Sequence, residues 1–271
     1  MINAQAQQEL QISQEIYDLV VAHQLGMPTA EYRTRVAFKI WFSFCCFFLA
    51  ALALLSALLA YLNLLPLPAR YTPLHALVVG LLFLAYGLYL SFKTLPLRAA
   101  HMYVCPGGLL LIKRGKTHVI RWDTIEAVWH RNDVYGYIYD THVFILRLVD
   151  KRTFKFDSNW RNLLNLGETI ANETAQLMFP QVMTAYYAGQ PVAFGDLKLS
   201  LQGISGRKRT LPWQQIKNVD IGARVVTIEA VGEGTTPWGR FHISGMPNFL
   251  LFERMLESVW TGQHLQQQWG S

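Results

Sequence analysis

The stretch "RTLPWQQIKNVDI" (Arg209–Ile221) has a related copy earlier in the chain, "HVIRWDTIEAVWH" (His118–His130). The two copies share a tryptophan, an isoleucine and a valine at the same spacing, and each counterpart lies 91 positions further on. The six residues are Trp122, Ile125 and Val128 in the first copy and Trp213, Ile216 and Val219 in the second. Self-similarity at a fixed period is typical of repeated structural units. The sequence therefore predicts a duplicated small domain with these six residues in its structural core.

The same order of strand and helix patterns follows in both copies. Apolar and other residues alternate over 143–148 and again over 225–230, and a period of two indicates strands with one buried face. Apolar residues then recur at helical spacing over 160–178 and over 249–259. Each unit is therefore predicted to consist of several short strands followed by one C-terminal helix.

Charged residues are scarce, and their scarcity is local. Hydrophobic residues make up 52% of the 271 residues and charged residues only 15%, against ~25% in average soluble domains. Residues 40–69 and 71–92 contain no Lys, Arg, Asp or Glu, and a membrane span needs about 20 apolar residues. The sequence predicts a transmembrane hairpin over residues 31–99, with spans at about 40–65 and 73–92.

Basic residues on either side of the hairpin predict its orientation. The loop between the spans carries only Arg70, whereas five basic residues lie close outside them: Arg33, Arg35, Lys39, Lys93 and Arg98. Basic residues accumulate on the cytoplasmic side of membrane proteins. We therefore expect an integral, multi-pass protein of the cell (plasma) membrane with both termini in the cytoplasm.

Residues 1–30 are predicted to form an N-terminal cytoplasmic amphipathic helix. Ile12, Ile16, Leu19 and Val20 fall on one helical face. The opposite face has almost no Lys or Arg, although membrane-surface helices are usually rich in them. This favours packing on the protein's own domain or on a partner.

The repeated segments also carry a family resemblance. The segments "GGLLLIKRGKTHVIRWDTIEAV" (107–128) and "LQGISGRKRTLPWQQIKNV" (201–219) resemble the bacterial pleckstrin-homology-like (PH-like) domain. Beside paired apolar helices, they resemble bacterial membrane proteins of the kind labelled domain of unknown function. The resemblance implies an α+β fold with membrane helices: a two-helix transmembrane hairpin followed by tandem PH-like domains at 102–185 and 190–265. Each would be a bent antiparallel β-sheet or barrel capped by a C-terminal helix.

The hairpin before each tryptophan is basic in both copies. In eukaryotic lipid-binding PH domains the corresponding hairpin contacts phosphoinositide headgroups, so the resemblance implies six candidate headgroup contacts: Lys113, Arg114, Lys116, Arg207, Lys208 and Arg209. Three interpretations stay open. The hairpins could be solvated turns, could attract anionic phospholipid at about 1 kcal/mol per cation, or could form a defined headgroup pocket.

Sequence patterns of catalysis, metal binding and nucleic-acid binding are missing. Cys45, Cys46 and Cys105 form no CxxC or Cys/His ligand spacing, and the eight histidines are scattered. The basic residues are spread out and not interleaved with aromatic ones. We expect no catalytic residue, no metal, no cofactor and no nucleic-acid partner.

The function predicted on these grounds is that of a non-enzymatic membrane protein. Its PH-like domains would serve as a protein-interaction or oligomerisation scaffold, with an unidentified protein partner or by self-association. One alternative is an anionic-lipid-sensing module that uses the basic hairpins. Another is an accessory subunit of a transporter or envelope complex.

Overall fold

The structure is a computed structural model and describes residues 14–35, 37–62, 64, 73–94, 100–113, 115–135, 139–206, 209–232 and 236–269. It has an α+β architecture. One short strand comes before the two apolar helices, and the other strands of the antiparallel sheets and a C-terminal helix come after them. The helices are α1 (Gln14–Ala22), α2 (Ala37–Tyr61), α3 (Pro73–Thr94), α4 (Leu163–Tyr187) and α5 (Phe249–Trp269). The chain divides into two compact units, Met1–Pro106 with Leu110–Val119 and Gly107–Leu109 with Ile120–Ser271.

Fourteen strands occur in the described residues, in four antiparallel sheets. Those before α4 are β1 (Ala30–Arg33), β2 (His101–Cys105), β3 (Gly108–Lys113), β4 (Lys116–Arg121), β5 (Ile125–Tyr135), β6 (Tyr139–Leu148) and β7 (Thr153–Phe156). Those after α4 are β8 (Val192–Phe194), β9 (Leu197–Ser200), β10 (Gly203–Gly206), β11 (Arg209–Pro212), β12 (Ile216–Ile221), β13 (Val225–Ala230) and β14 (Gly239–His242). The sheet orders are β1-β2-β3-β4, β5-β6-β7, β11-β10-β9-β8 and β12-β13-β14.

The predicted apolar helices are present. Mean hydropathy is 2.5 over Ile40–Tyr61 and 1.9 over Pro73–Lys93, and both helices are long and apolar enough to span a membrane. They pack against each other as a pair: Ser43 Oγ donates to the Gly87 carbonyl over 3.0 Å and lies 2.7 Å from Ser91 Oγ. Small residues and side-chain hydrogen bonds of this kind hold apolar helices together where the hydrophobic effect cannot.

A strand that precedes the apolar helices pairs with one that follows them. In β1 and β2, Ala30 faces Val104 and Arg33 faces His101. Helix α1 buries its apolar face against the same sheet, where Ile16 and Val20 share a core with five buried or half-buried neighbours: Leu25, Tyr103, Cys105, Leu110 and Ile112. Helix α1 thus packs on its own domain, one of the two alternatives that the sequence left open. Ile12 of the predicted helix lies outside the described residues.

The two halves of the chain repeat one order of elements. A four-stranded sheet is followed by a short 3-10 turn that begins at the repeated tryptophan, then a three-stranded sheet, then a helix. We call β1–β7 with α4 the first repeat and β8–β14 with α5 the second repeat. In the second repeat, Gly195 and Asp196 alone join the first two strands, whereas α2 and α3 lie at the same place in the first repeat. The apolar helix pair is therefore an insertion within the first hairpin of the first repeat.

Matching glycines strengthen this equivalence. Gly108 opens β3 with φ +156°, and Gly203 opens β10 with φ +150°. A Cβ atom on Gly108 would lie 2.3 Å from the Ile120 carbonyl oxygen, and one on Gly203 would lie 2.0 Å from that of Leu211. Each position needs glycine because the opposing strand passes too close for any side chain.

The second repeat has a continuous core that also includes part of the first repeat. Trp213, Ile228 and Phe252 are buried in it, and Ala175 and Tyr186 of α4 pack against the same cluster. The sheets themselves stay open: within the described residues no sheet closes into a barrel. This corrects the barrel form of the sequence-based expectation. Side chains of α4, of α5 and of the strands of the second repeat share one buried core, which forms without closure of a sheet.

Candidate functional site

The six repeated residues occupy equivalent places. Trp122 and Trp213 each begin a 3-10 turn and are buried, as are Ile125 and Ile216 at the start of the following strand. Both strands then show the same register irregularity, between Ile125 and Ala127 and between Ile216 and Asn218. Only the valines differ in environment: Val128 is buried and Val219 is half-buried.

One residue of the second repeat covers the edge of β5. Asn248 N donates to the Val128 carbonyl over 2.7 Å, and Val128 N donates to Asn248 Oδ1 over 2.8 Å. Asn248 Nδ2 also donates to the Glu126 carbonyl over 3.1 Å. Asn248 adopts the left-handed conformation, with φ +53°, which asparagine tolerates better than most residues. A single residue thereby satisfies three backbone groups of an edge strand through its own amide N–H and its side chain.

No equivalent residue covers β12 in the described part of the chain. β12 ends its sheet, and a groove of about 500 Å³ runs between it and α5. We call it the β12–α5 groove. Its walls are Asn218, Val219, Ile221, Leu250, Glu253, Arg254, Leu256, Glu257 and Trp260. The groove therefore combines apolar residues with polar and charged ones along the outer strand of a sheet.

A second concavity lies beside the N-terminal end of α5, between elements of the two repeats. This junction cavity, of about 390 Å³, is lined by residues of β5, β6, α4 and α5: Val128, His130, Phe144, Leu164, Gly167, Glu168, Ala171, Asn172, Ala175, Asn248, Phe249, Leu250, Leu251 and Glu253. Leu250 and Glu253 line both the cavity and the groove. Burial raises the pKa of Glu253.

The polar group best placed in the junction cavity is a histidine. The His130 ring stacks on Phe144 with centroids 4.3 Å apart, and His130 Nε2 lies 3.1 Å from His142 Nδ1. Burial, and then the proximity of His142, lowers the pKa of His130. The two histidines lie twelve residues apart in the sequence, and the antiparallel pairing of β5 and β6 brings them together.

The basic hairpins differ from each other. Lys113 and Lys116 flank Gly115 at the β3–β4 turn, with Lys113 half-buried and Lys116 exposed. Arg209, although exposed, donates from Nη2 to the Trp238 carbonyl over 2.8 Å, and its guanidinium lies 5.6 Å from the Trp238 ring centroid. Arg114, Arg207 and Lys208 lie outside the described residues. Arg209 is thus engaged within its own repeat.

A cluster of polar side chains around Glu31 connects β1 to β2. Glu31 Oε1 accepts from Arg33 Nε over 2.7 Å, lies 2.9 Å from His101 Nδ1, and accepts a longer bond of 3.4 Å from the Tyr103 hydroxyl. Burial opposes ionisation of Glu31, but the bonds from Arg33 and His101 outweigh it and hold the Glu31 pKa below its usual value. Within the described residues, no group of three or more His, Cys, Asp or Glu side chains is arranged to share a metal ion.

Comparison with known proteins identifies a family to which no function is assigned. The chain belongs to a family of unknown function, DUF6585, whose family model matches residues 3–264. No match was found among curated proteins, and none among solved structures.

Proposed function

We propose that this protein is a non-enzymatic integral membrane protein that presents tandem cytoplasmic PH-like domains as a protein-interaction or oligomerisation scaffold. The observation that carries the proposal is the contact between Asn248 and β5. It shows that a strand edge of this fold is completed by a segment from outside its own repeat. The equivalent edge at β12 borders a groove large enough to accept such a segment.

Several features support membrane anchoring. The outward faces of α2 and α3 carry large apolar side chains, with Phe44 68% and Phe92 76% exposed. A surface patch of this kind is costly in water and favourable in lipid. Because Arg33 and His101 are register partners, both ends of the helix pair start from one sheet. This supports a hairpin that enters and leaves the membrane on the same side, which the flanking basic residues assign to the cytoplasm.

The PH-like assignment and the absence of catalysis rest on separate observations. Each repeat carries a four-stranded and a three-stranded antiparallel sheet followed by a C-terminal helix, and this order of several strands before one closing helix supports the PH-like assignment. The junction cavity is lined by one histidine, His130, and two carboxyl groups, Glu168 and Glu253, with no Ser, Thr, Cys or Lys among its described lining residues. Its histidine is held by a second histidine and by a stacked ring, which suits a structural role.

Site-specific photo-cross-linking in membranes tests the proposal. A photoreactive residue replaces Asn218, in the groove, and in a matched variant replaces Lys198, an exposed residue of β9. A scaffold should give a discrete protein adduct, identified by mass spectrometry, from position 218 and not from position 198. Equal adducts from both positions, or no protein adduct from position 218, would reject the proposal.

Contact with anionic lipid is a second candidate, favoured by one observation. Lys116 is exposed beside an open glycine turn, with Lys113 across it, so the first hairpin can present charge to a membrane surface. Arg209 is less suited because it already bonds to Trp238. We therefore propose that any lipid contact is made by the first hairpin more than by the second.

A further inference from the structure

We infer that the β12–α5 groove binds the turn around Asn162 from a second copy of this chain, so that the protein self-associates head to tail. The inference rests on the proposed scaffold function and names its partner. The first repeat already shows how an outer strand of this fold is covered, since Asn248 bonds to β5. The duplication extends this observation to β12.

The first step is the equivalence of Asn162 and Asn248. Each is the residue directly before the helix that closes its repeat, α4 or α5. Each adopts the left-handed conformation, with φ +51° at Asn162 and +53° at Asn248. Each backbone carbonyl accepts from the amide four residues on, over 3.1 Å in both cases, namely Leu166 N and Phe252 N. Non-glycine residues rarely hold this conformation, so its recurrence supports the equivalence of the two turns.

The second step is the equivalence of the two strand edges. Val219 follows Trp213 at the spacing at which Val128 follows Trp122. Both strands begin after a 3-10 turn and share the same register irregularity. The backbone groups that Asn248 bonds at Val128 therefore have counterparts at Val219. β12 is the outer strand of its sheet in the described residues, and Val219 is half-buried.

The third step is that the matching partner surface is accessible. Asn162 is exposed, whereas Asn248 already bonds to β5 within the same chain. Arg161, next to Asn162, is also exposed. The groove is lined by two carboxyl groups, Glu253 and Glu257, and by one cation, Arg254, which donates to Asn172 Oδ1 over 2.9 Å. In the internal contact the corresponding position is Pro247, which has no charge. The intermolecular contact thus gains an attraction between opposite charges that the internal one lacks.

The symmetry of such a contact has a consequence for assembly. The surface around Asn162 and the β12–α5 groove are different patches of the same molecule, so the interface is heterologous. Heterologous contacts repeat from copy to copy and give rings where the rotation closes, or open filaments where it does not. A membrane anchor on every copy holds them in one plane and raises their effective concentration.

The test uses two full-length copies with different affinity tags, expressed together in membranes. The first copy carries a photoreactive residue at Asn218, and the second is either unchanged or Asn162→Gly. Glycine keeps the left-handed backbone but removes the amide side chain. We expect an adduct between the two tagged copies that falls about tenfold with Asn162→Gly, the effect of losing ~1.4 kcal/mol of binding free energy. The photoreactive residue at Lys198 should give no such adduct.

The outcomes separate this inference from the function on which it rests. An adduct between copies that is indifferent to Asn162→Gly would overturn the assigned interface. Adducts only with a different protein would overturn self-association and leave the scaffold function standing. No protein adduct from position 218 would overturn both. An unchanged melting temperature of Asn162→Gly excludes misfolding as the cause of a lost adduct.

Discussion

Arg33 and His101 face each other in the antiparallel pair β1–β2, although both apolar helices lie between them in the chain. Glu31 bonds to both side chains. The strand pair β1–β2 therefore joins the chain segments that lie directly before and after the helix pair. The helices and this strand pair belong to the same compact unit of the chain.

This connection predicts the topology of the membrane hairpin. In a chain with Cys45 and Cys46 replaced by Ala, a membrane-impermeant maleimide should label Arg70→Cys in intact cells. The same reagent should label Lys116→Cys only after the membrane is permeabilised. Cys105 should not interfere, because burial raises the pKa of its thiol to about 11 and keeps it protonated. Labelling of both positions in intact cells would contradict the predicted hairpin.

The Glu31 cluster predicts a loss of stability on substitution and in acid. Glu31→Gln should lower the free energy of unfolding by about 1–2 kcal/mol, between the values of an exposed ion pair and a charged hydrogen bond. The folded pKa of Glu31 lies below its ordinary value of 4.5. The contribution is therefore complete above pH 4.5 and is lost as the pH falls through the folded pKa.

Thermal unfolding of the detergent-solubilised chain from pH 7 to pH 3 measures both effects. The gap between the parent and Glu31→Gln should narrow in acid. Asp123→Asn removes the exposed pair between Asp123 and Arg121 and serves as a matched control with a smaller effect at pH 7. A gap that stays constant down to pH 3 would show that Glu31 acts through its shape and not through its charge.

Asn248 predicts a difference between two substitutions at one position. Asn248→Gly keeps the left-handed backbone but removes the side-chain bonds to Val128 N and the Glu126 carbonyl. It should lower the free energy of unfolding by about 1–3 kcal/mol. Asn248→Ala should cost about 1 kcal/mol more because alanine is strained in this conformation. Asn162→Ala introduces the same backbone strain without removing any bond to β5, so it serves as the control.

Hydrogen exchange gives the specific readout for Asn248. The Val128 amide should exchange much faster in Asn248→Gly than in the parent, because its acceptor is removed. In Asn162→Ala the Val128 amide should stay protected. A protected Val128 amide in Asn248→Gly would mean that another group satisfies the β5 edge.

The parts of the fold that the sequence predicted are those with a strong local signal. Runs without charge indicated α2 and α3, since the energetic cost of a charge in lipid leaves a long and visible gap in composition. The repeated tryptophan phrase located two equivalent turns because both tryptophans are buried at the same point of the fold. The fourth strand of the first sheet was missed. β1 is four residues long, and its partner lies beyond both helices, so no local pattern links them.

The candidate site was harder to predict because it depends on contacts between distant residues. Asn248 acts through one amide and its own backbone, and a single asparagine before a helix is a common feature. The His130–His142 pair depends on strand register, which aligns His130 with Phe144 and Asn132 with His142. One signal was available: two asparagines before two equivalent helices. This signal would have located the turns at Asn162 and Asn248, but it would not have predicted that Asn248 covers β5.

His130 predicts a second pH dependence, in a higher range than that of Glu31. Burial lowers its pKa, so between the folded value and about 6.5 the unfolded chain binds more protons than the folded one. Stability should therefore fall as the pH drops from 7 through this window. His130→Phe keeps a ring to stack on Phe144 and removes the titration, so its stability should change less between pH 7 and pH 5. Parallel curves for the two proteins would contradict this origin.

The first basic hairpin predicts sensitivity to lipid charge. The full chain is placed in nanodiscs of neutral or partly anionic phospholipid, and hydrogen exchange is followed at residues 113–116. At low salt, protection should be greater with anionic lipid, since each nearby cation contributes about 1 kcal/mol of attraction, and high salt should remove it. Replacing Lys113 and Lys116 by Ser should abolish the difference.

Arg209→Ser is the matched control for the lipid experiment, because the structure gives this cation another role. Loss of its bond to the Trp238 carbonyl should lower the melting temperature while leaving the lipid-dependent protection at residues 113–116 unchanged. If protection is the same in neutral and anionic nanodiscs, the first hairpin is a solvated turn. Lipid charge would then play no part, and the strand edge at β12 would carry the interactions of the protein by itself.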